Sequence, residues 1–463
     1  MKDMKEDALL ARRIAEAVAA AGGRAYQVGG CVRDLLMGRE TKDIDIEVHG
    51  ITCSRLREIL ISFGEPVTIG LSFGVYGLKG HELDIAMPRS ERAVGRGHRD
   101  FEVDVDPFLG TEKACLRRDL TINAMMRDIL TGEIIDHVGG QKDLEKGILR
   151  HVRAETFVED PLRVLRTAQF AARFGFAVAP ETGRLCAGMD LAALPRERVM
   201  EELKKALLRA PRPSVFFAVL RSMDQLGCWF REAADLIGTM QEPRFHPEGD
   251  AWDHTMLVLD AAAGMRERVK DPAAFLLAAL CHDLGKSRTT AAGPDGRIHS
   301  YGHEEAGVPL AEAMLYRLTD EKRLVRYVVS MVRFHMRPNS LVACRAGEKA
   351  YMRLFDEAEE PEELLLLSRA DALGCGADPL GPGFRAREQY LSDLLDLYRR
   401  RLEEPGVTGE DLAAAGFPPG PVYREALGLA RRLRLQGMSR EEALSQTLGY
   451  ARTLVSAGEE QNK

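Results

Sequence analysis

The segment from residue 26 to residue 48, YQVGGCVRDLLMGRETKDIDIEV, constrains the fold more than any other part of this 463-residue chain. A β-prone run ends at Gly29-Gly30, a helical turn follows, and charged and apolar residues then alternate. Strand geometry would place Asp43 and Asp45 on one face and the isoleucines on the other. Paired carboxylates are typical of Mg²⁺ sites that substrate phosphates complete, and bare glycine amides before a helix suit a triphosphate. The pattern predicts a metal-dependent phosphoryl-transfer site; the alternative is an edge strand with a solvated acidic face.

The glycine pair followed by Asp-x-Asp resembles the polymerase-beta-type nucleotidyltransferase superfamily, in which the carboxylates hold two metals. Downstream, the alternation in HELDIAM places Asp84 in a further strand, as a third catalytic carboxylate or as ordinary strand polarity. The Arg- and Gly-rich segment 89–108 has little apolar periodicity. It predicts a mobile loop that offers charge to a substrate or is simply solvated.

Two more segments carry polar residues at helical spacing. The sequence 116–126, LRRDLTINAMM, predicts a helix with Asp119 and Asn123 on one face. Arg118 would reach a phosphate or sugar, and the other two residues would hold a ribose or order the site. A charged helix start is the alternative.

The segment 157–176 predicts a helix with Asp160 at the N-cap and Pro161 at the first helical position. Capping alone would explain Asp160. However, Asp160, Arg163 and Arg166 are three apart and would share one face. Cytosine and adenine each present an amino donor beside a ring-nitrogen acceptor, so that Asp can accept from the first while Arg donates to the second. Such a pair could select C and A without a template strand.

The motifs GGCVRD, KDIDIE, RRDLTINAM and EDPLRVLRTAQFAARFGF, followed by ERVMEELKKAL, resemble in order and spacing those of the class II tRNA nucleotidyltransferases, the CCA-adding enzymes of bacteria. The resemblance implies catalytic Mg²⁺ ligands at Asp43 and Asp45, with Asp84 as a further carboxylate. It also implies that the segment 89–99 takes part in the switch from C to A addition. The expected nucleotide-binding residues are Gly29, Gly30, Arg33, Arg118, Asp119, Asn123, Asp160, Arg163 and Arg166.

Histidines concentrate in the second half, where six of the eleven lie between residues 246 and 335. The residues with the composition of a transition-metal site are His254, His282, Asp283, His303, His335 and Asp371. In this order they resemble the HD phosphohydrolase domain. The resemblance implies a divalent transition metal of unknown identity and hydrolysis of phosphate esters such as 2′,3′-cyclic phosphates or 2′-nucleotides. An arginine is expected near Cys375, and its absence leaves a structural or degenerate HD domain as the alternative.

Composition limits the cellular setting. No apolar run is long enough for a membrane span, the N-terminus lacks a signal-peptide core, and the eight cysteines are scattered without CxxC pairs. We therefore expect a cytoplasmic protein with no membrane partner and with reduced thiols. The net charge of −7 argues against a broadly basic nucleic-acid binder. Arginine clusters at 399–401 and 431–434 are candidates for phosphate contacts with tRNA or form solvated helix faces.

Together these observations predict an α+β multidomain chain: a nucleotidyltransferase head with a mixed sheet and helices, followed by an all-α neck, body, HD domain and tail. The predicted boundaries are 1–150, 151–245, 246–380 and 381–463. The expected reaction adds CMP, CMP and AMP to the tRNA 3′ end from CTP and ATP and releases pyrophosphate. The alternatives are an A-adding enzyme or poly(A) polymerase of the same superfamily, a nucleotide-metabolising HD hydrolase, and a non-catalytic tRNA-binding factor. The sequence leaves the oligomeric state open.

Overall fold

The computed structural model describes residues 4–39, 44–70, 75–93, 101–376, 378 and 381–461. The chain forms two compact units, Met1–Trp229 and Phe230–Lys463. The finer division into four domains stays a prediction. A short helical segment, Leu226–Ala234, spans the boundary and is interrupted by non-helical backbone at Phe230, with φ −128° and ψ 40°.

A seven-stranded mixed sheet forms the centre of the first unit, with the order β3-β4-β5-β2-β1-β8-β9. Strands β2 and β5 run parallel, while all the other neighbours in this order are antiparallel. A separate hairpin consists of β6 and β7. The strand bounds are β1 Arg24–Val28, β2 Ile44–His49, β3 Pro66–Gly70, β4 Val75–Leu78, β5 Leu83–Ala86, β6 Arg89–Ala93, β7 Phe101–Val105, β8 Met126–Asp128 and β9 Ile134–Ile135.

One face of this sheet forms a hydrophobic core. Ile44, Ile46 and Val48 of β2 pack with Leu83 and Ile85 of β5 and are all buried. The helices Met4–Ala20 and Cys53–Ile61 contribute most of the other buried apolar side chains of this cluster. Because side chains alternate along a strand, the odd-numbered residues of β2 and the even-numbered residues of β5 face the opposite side of the sheet.

The hairpin corrects one prediction. The segment 89–108 does not form an irregular loop over its described length, because Arg89–Ala93 and Phe101–Val105 pair in register from Arg89 opposite Val105 to Ala93 opposite Phe101. Phe101–Val105, FEVDV, alternates apolar and charged residues, a strand pattern that the prediction overlooked, and Arg89–Ala93 pairs with it through backbone hydrogen bonds. The remaining part of the predicted substrate segment, residues 94–99, lies outside the described residues.

Helices surround the sheet and complete the first unit. Two short strands, Ile148–Leu149 and Ala177–Val178, pair in parallel. The helix bounds are Met4–Ala20, Gly30–Leu36, Cys53–Ile61, Thr111–Leu116, Gly140–Lys146, Ala154–Phe157, Leu162–Phe174, Pro180–Ala187, Arg196–Arg209 and Ser214–Ser222, with a 3₁₀ turn at Thr121–Asn123.

The second unit is helical apart from a small antiparallel pair, Ala291–Ala292 with Ile298–His299. Its helices are Ala251–Ala263, Pro272–Cys281, Lys286–Thr289, His303–Leu318, Lys322–Phe334, Arg337–Ala343, Glu348–Glu357, Pro361–Gly374, Pro382–Glu403, Gly409–Ala414, Pro421–Leu435 and Arg440–Gln461, with a 3₁₀ turn at Arg266–Arg268. Nowhere in the described part of the chain is a helix both long and apolar enough to cross a membrane.

Candidate functional site

The turn after β1 places glycine backbone, which has no side chain, next to charged groups. Gly29 has φ 72° and ψ −129°, a conformation that favours glycine, and the helix Gly30–Leu36 follows it. A Cβ atom at Gly29 would lie 3.2 Å from Arg118 Nη1 and 4.0 Å from Asp45 Oδ2. The Arg118 guanidinium and the Asp45 carboxylate therefore both lie close to the position that a side chain at Gly29 would occupy.

Asp45 and Asp84 occupy neighbouring strands at the same level. They are directly paired residues of the parallel strands β2 and β5, so their side chains project from the same face of the sheet. Asp45 is partly buried and Asp84 is exposed. Two carboxylates at this spacing present the hard oxygen ligands that Mg²⁺ requires, with room for substrate oxygens. Asp43 lies outside the described residues, and the catalytic roles of all three aspartates stay predictions.

A partly buried ion pair positions Arg118. Its Nη2 lies 3.1 Å from Glu47 Oε2, and the other Glu47 oxygen lies 2.9 Å from His49 Nε2. Burial opposes ionisation of Glu47, but the hydrogen bond from His49 and the charge of Arg118 outweigh it and lower the pKa of the carboxyl. The sequence prediction missed Glu47, although it follows Asp45 by two residues in DIDIE and so shares its strand face.

A second network joins Arg33 to Arg166. Arg33 Nη1 donates to Asn123 Oδ1 at 2.5 Å, Asn123 Nδ2 donates to Asp119 Oδ1 at 3.1 Å, and Arg166 Nε donates to Asp119 Oδ2 at 2.8 Å. Both guanidinium groups also lie over the Phe170 ring, at 5.2 and 5.3 Å from its centroid. The structure thus brings together four predicted nucleotide-binding residues that are distant in sequence.

Asp119 is the charged centre of this network. Burial alone would raise its pKa, but the Arg166 charge and hydrogen bonds from Leu120, Arg166 and Asn123 lower the pKa to about 2. The predicted helix over residues 116–126 is wrong, because helix Thr111–Leu116 ends before Asp119 and only a 3₁₀ turn follows. The Asp119 carboxylate accepts from its neighbour Leu120 N at 2.7 Å, a local bond that competes with helix formation. The expected pairing of Asp119 with Asn123 forms nevertheless.

The start of the next helix also differs from the prediction. The helix begins at Leu162 with Pro161 as N-cap, one residue later than expected, and Asp160 Oδ1 accepts from Leu162 N at 3.1 Å. Arg163 donates to the carbonyls of Thr156 at 2.5 Å and Arg117 at 2.9 Å. Asp160 therefore lies outside the helix rather than on a shared helical face, because a residue before proline disfavours helical backbone. The base-reading role of Asp160 and Arg163 stays a prediction.

All six predicted residues of the histidine centre converge in the second unit. His254 Nε2 lies 3.1 Å from Asp371 Oδ1 and 3.4 Å from His282 Nε2. Asp283 Oδ1 lies 3.2 Å from His303 Nε2 and 3.6 Å from His335 Nε2, while its other oxygen lies 3.2 Å from His282 Nε2. All of these except Asp371 are at least nine-tenths buried. Two ligand sets therefore meet at Asp283.

The second nitrogen of each histidine explains why these atoms suit a cation. The Nδ1 atoms contact acceptors that cannot donate: the carbonyls of Ala279, Ser300 and Val332 at 2.8, 2.8 and 2.7 Å and a Glu248 oxygen at 2.9 Å. Each Nδ1 thus carries the proton, which leaves the Nε2 lone pairs and the aspartate oxygens facing one another. Such a set of converging acceptors fits one or two divalent transition-metal ions.

Asp283 is held in its charged form by its surroundings. Burial opposes its ionisation, but the charge of Lys286 outweighs burial and holds the pKa of the carboxyl well below its usual value. Lys286 Nζ lies 2.6 Å from Asp283 Oδ2 and donates to Gln241 Oε1 at 2.7 Å. Lys286 is not among the site residues predicted from the sequence, and its only signal there is its position in LCHDLGK, three residues after Asp283.

The tail arginines have partners within the second unit. Arg401 donates to Leu435 O at 2.6 Å and Arg431 pairs with Asp356 at 2.6 Å. Arg399 pairs with Glu362. These contacts give the two clusters a role in packing the tail helices, and a phosphate-binding role stays a prediction.

Comparisons with known proteins agree with this architecture. The family model for the poly A polymerase head domain matches residues 25–150, and that for the HD domain matches residues 251–374. Among solved structures, the Thermotoga maritima CCA-adding enzyme complexed with tRNA has a TM-score of 0.62 at 21% identity, over 97% of this chain and 98% of that one. The Bacillus stearothermophilus CCA-adding enzyme in complex with CTP has a TM-score of 0.66 at 22% identity, over 98% and 100%. The predicted fold class is confirmed.

Two relatives are more similar in sequence. The multifunctional CCA protein of Nitrosococcus oceani is 39% identical over 404 residues, which cover 85% of this chain and 93% of that protein. The protein of the same name from Pasteurella multocida is 36% identical over 413 residues, covering 86% and 94%. Because this similarity extends through both the head and the HD domain, the chain belongs to the family of multifunctional CCA proteins.

Proposed function

We infer that this protein adds CMP, CMP and AMP to the 3′ end of tRNA, using CTP and ATP and releasing pyrophosphate. The observation that carries the inference is the placement of Asp45 and Asp84 side by side on one sheet face, next to the bare turn at Gly29. Carboxylates beside open backbone amides are suited to a nucleoside triphosphate and its counterions.

We propose that Asp45 and Asp84, together with Asp43, hold Mg²⁺. The bound ion would act as a Lewis acid toward the phosphoryl group that is transferred. Arg118, fixed by Glu47, would bind phosphate oxygens, since a guanidinium donates two parallel hydrogen bonds to them. Gly29 would let these oxygens approach the backbone without a side chain in between.

Base selection is proposed for Asp160 and Arg163. Their carboxylate and guanidinium would read the amino group and ring nitrogen shared by cytosine and adenine. In the structure Arg163 donates to two main-chain carbonyls. A correct base must therefore replace those hydrogen bonds, whereas uracil or guanine, with donor and acceptor reversed, would leave polar groups unpaired. The network from Arg33 to Arg166 would hold the helix that carries Arg163 and begins two residues after Asp160.

A second activity is proposed for the HD domain: metal-dependent hydrolysis of phosphate esters, with 2′,3′-cyclic phosphates and 2′-nucleotides as the candidate substrates. Its support is the orientation of four Nε2 atoms toward Asp283 and Asp371. A divalent transition metal held there would supply Lewis-acid activation. Lys286, which contacts Asp283, places a positive charge where a phosphate ester would need one. We further propose a cytoplasmic location, which fits the free state of all eight cysteines.

The test supplies tRNA that lacks its 3′ CCA, or ends in C or CC, with each nucleoside triphosphate in turn. We expect CMP addition to stop after two residues, a single AMP to follow, and UTP and GTP to remain unused. Runs of AMP, or no use of CTP, would refute CCA addition in favour of a poly(A) polymerase or an A-adding enzyme. The hydrolase proposal is tested separately on 2′,3′-cyclic AMP after loading with each divalent metal.

A further inference from the structure

A second group of metal-ligating side chains lies next to the histidine centre and shares only His254 with its six residues. It contains His246, Glu248, His254 and Cys375, and one ligand atom from each lies within 4.8 Å of every other. His246 Nδ1 and His254 Nδ1 are each 2.9 Å from Glu248 Oε1. Cys375 Sγ is 3.6 Å from His246 Nδ1 and 3.8 Å from His254 Nδ1.

These separations resemble the edges of a tetrahedron of metal ligands. For a tetrahedral ion with sulfur at about 2.3 Å and nitrogen at about 2.0 Å, the S···N edge is about 3.5 Å. For nitrogen and oxygen ligands the corresponding edge is about 3.3 Å. The observed S···N distances of 3.6 and 3.8 Å and the N···O distances of 2.9 Å are within about 0.4 Å of these values. An ion could enter with small side-chain shifts.

The Glu248 side chain supplies an independent sign of an absent ligand. The side chain is only 7% exposed, yet its Oε2 atom has no hydrogen-bond partner among the described residues. A buried carboxylate oxygen without a donor is unfavourable and calls for an explanation. A cation bound by this carboxylate would provide one.

Close helix packing fixes Cys375 in this position. It follows helix Pro361–Gly374, and a Cβ atom at Gly374 would lie 2.4 Å from Val258 Cγ2 on helix Ala251–Ala263. The glycine therefore allows the two helices to touch one residue before the thiol. His254 belongs to the same helix as Val258, so this contact brings Sγ to its ring.

We propose that His246, Glu248, His254 and Cys375 form a second metal site, which takes a borderline-soft divalent ion of the Zn²⁺ type. Thiolate, imidazole and carboxylate ligands are those that Zn²⁺ prefers, and four protein ligands are typical of a closed, structural site. Binding releases the Cys375 thiol proton and the His254 Nδ1 proton to solvent, whereas the His246 Nδ1 proton moves to Nε2 of the same ring. His254 then uses Nδ1 here and Nε2 in the histidine centre, so that one imidazole links the two sites.

A simpler arrangement is the alternative. Glu248 could only orient His254 by a hydrogen bond, with Cys375 as a bystander. The proposed site and this alternative differ in whether the Cys375 sulfur is a metal ligand. A Cys ligand to Co²⁺ gives an intense near-ultraviolet charge-transfer band, and the histidine centre, which contains no cysteine among its six residues, gives none.

The experiment loads the metal-stripped full-length protein with Co²⁺ and records its absorption. We expect a thiolate band that saturates with one sulfur-bound Co²⁺ per chain once the histidine centre is also filled, its loss in Cys375→Ser, and its retention in the control Cys344→Ser, an exposed cysteine of the same unit. Asp283→Asn should also retain it. No band in the wild-type protein, or a band that survives Cys375→Ser, would overturn the proposal.

Glu248→Gln provides a second variant that preserves side-chain volume. We expect it to keep the band but to require at least about tenfold more Co²⁺, since even an indirect ligand contact is worth that much. Unchanged Co²⁺ affinity would count against the site. The proposal does not depend on CCA addition, which uses residues of the first unit.

Discussion

Replacing Gly29 by alanine tests the proposed triphosphate turn most directly. The new Cβ atom would lie 3.2 Å from Arg118 Nη1, a few tenths of an ångström closer than ordinary contact, so the guanidinium must shift, and we expect this shift to weaken its 3.1 Å contact with Glu47. The charged hydrogen bond to Glu47 contributes about 1.5 kcal/mol at the lower end of its class, as suits a pair that is partly exposed. Its loss from the reacting complex would lower kcat/KM for CTP by about tenfold.

Backbone strain must be separated from this steric effect. A positive φ with extended ψ costs a non-glycine residue about 1–3 kcal/mol. Gly110→Ala is the matched control, because Gly110 has φ 81° and ψ 155° and a Cβ atom there would meet nothing within 4 Å. We expect both variants to be less stable in thermal unfolding but only Gly29→Ala to lose activity in steady-state CMP incorporation. Equal losses of activity in the two variants would refute the reasoning.

Three further predictions concern single carboxylates. Asp45→Asn and Asp84→Asn should each reduce CMP incorporation about 100-fold or more at saturating Mg²⁺. An unchanged rate for Asp84→Asn would show that Asp84 is an ordinary polar residue of the strand without a catalytic role. Asp119→Asn should lower the free energy of unfolding by about 2 kcal/mol at neutral pH, because the native pKa of about 2 lies below the ordinary 3.8. The difference in unfolding free energy between the wild-type protein and Asp119→Asn should reach its full value above pH 3.8, the ordinary pKa, and disappear as the pH falls through about 2, the pKa in the folded protein. A difference that does not change with pH in urea titrations would contradict this prediction. Asp283→Asn should abolish metal-dependent hydrolysis of 2′,3′-cyclic AMP while CCA addition proceeds at the wild-type rate, and hydrolysis that persists would exclude Asp283 as a ligand.

Local patterns predicted the parts of the nucleotidyl site that depend on neighbours in sequence. Alternation in DIDIE predicted strand β2 with Ile44 and Ile46 on its buried face. The position of Asp84 opposite Asp45 depends on parallel pairing between strands 39 residues apart, and nothing in either segment specifies that register. The sequence alone therefore did not decide whether Asp84 is a metal-binding carboxylate or an ordinary polar residue of the strand.

Long-range contacts also explain the wrong helix. Asp119 binds Arg166, a residue 47 positions away, and its other oxygen accepts from Leu120 N. In a helix over 116–126 the N–H groups of Leu120 and Thr121 would donate to backbone carbonyls of the preceding turn. Here Leu120 N donates to the Asp119 side chain and Thr121 N donates to Arg150 O, so these hydrogen bonds compete with the helix. Helical spacing correctly indicated that Asp119 and Asn123 meet, because a compact turn also brings together residues four apart.

The histidine centre shows the same division between composition and packing. Its six residues were predicted because histidines and aspartates in this number and order have the composition of a transition-metal site. Glu248 and Cys375 were not, since their proximity to His254 follows from the close approach of two helices at Gly374. A lone cysteine after a glycine carries no such signal in sequence.

The buried charges of the two sites are neutralised independently, which bears on how the activities can be combined in one chain. Asp119 finds Arg166 and Asn123 within the first unit, and Asp283 finds Lys286 and its histidines within the second. A buried carboxylate whose partners belong to its own unit stays stable when the other site is altered, because removing a distant charge leaves no polar group unpaired. The ligands of the HD domain can therefore be altered without weakening the network that positions Arg33 and Arg166 in the first unit.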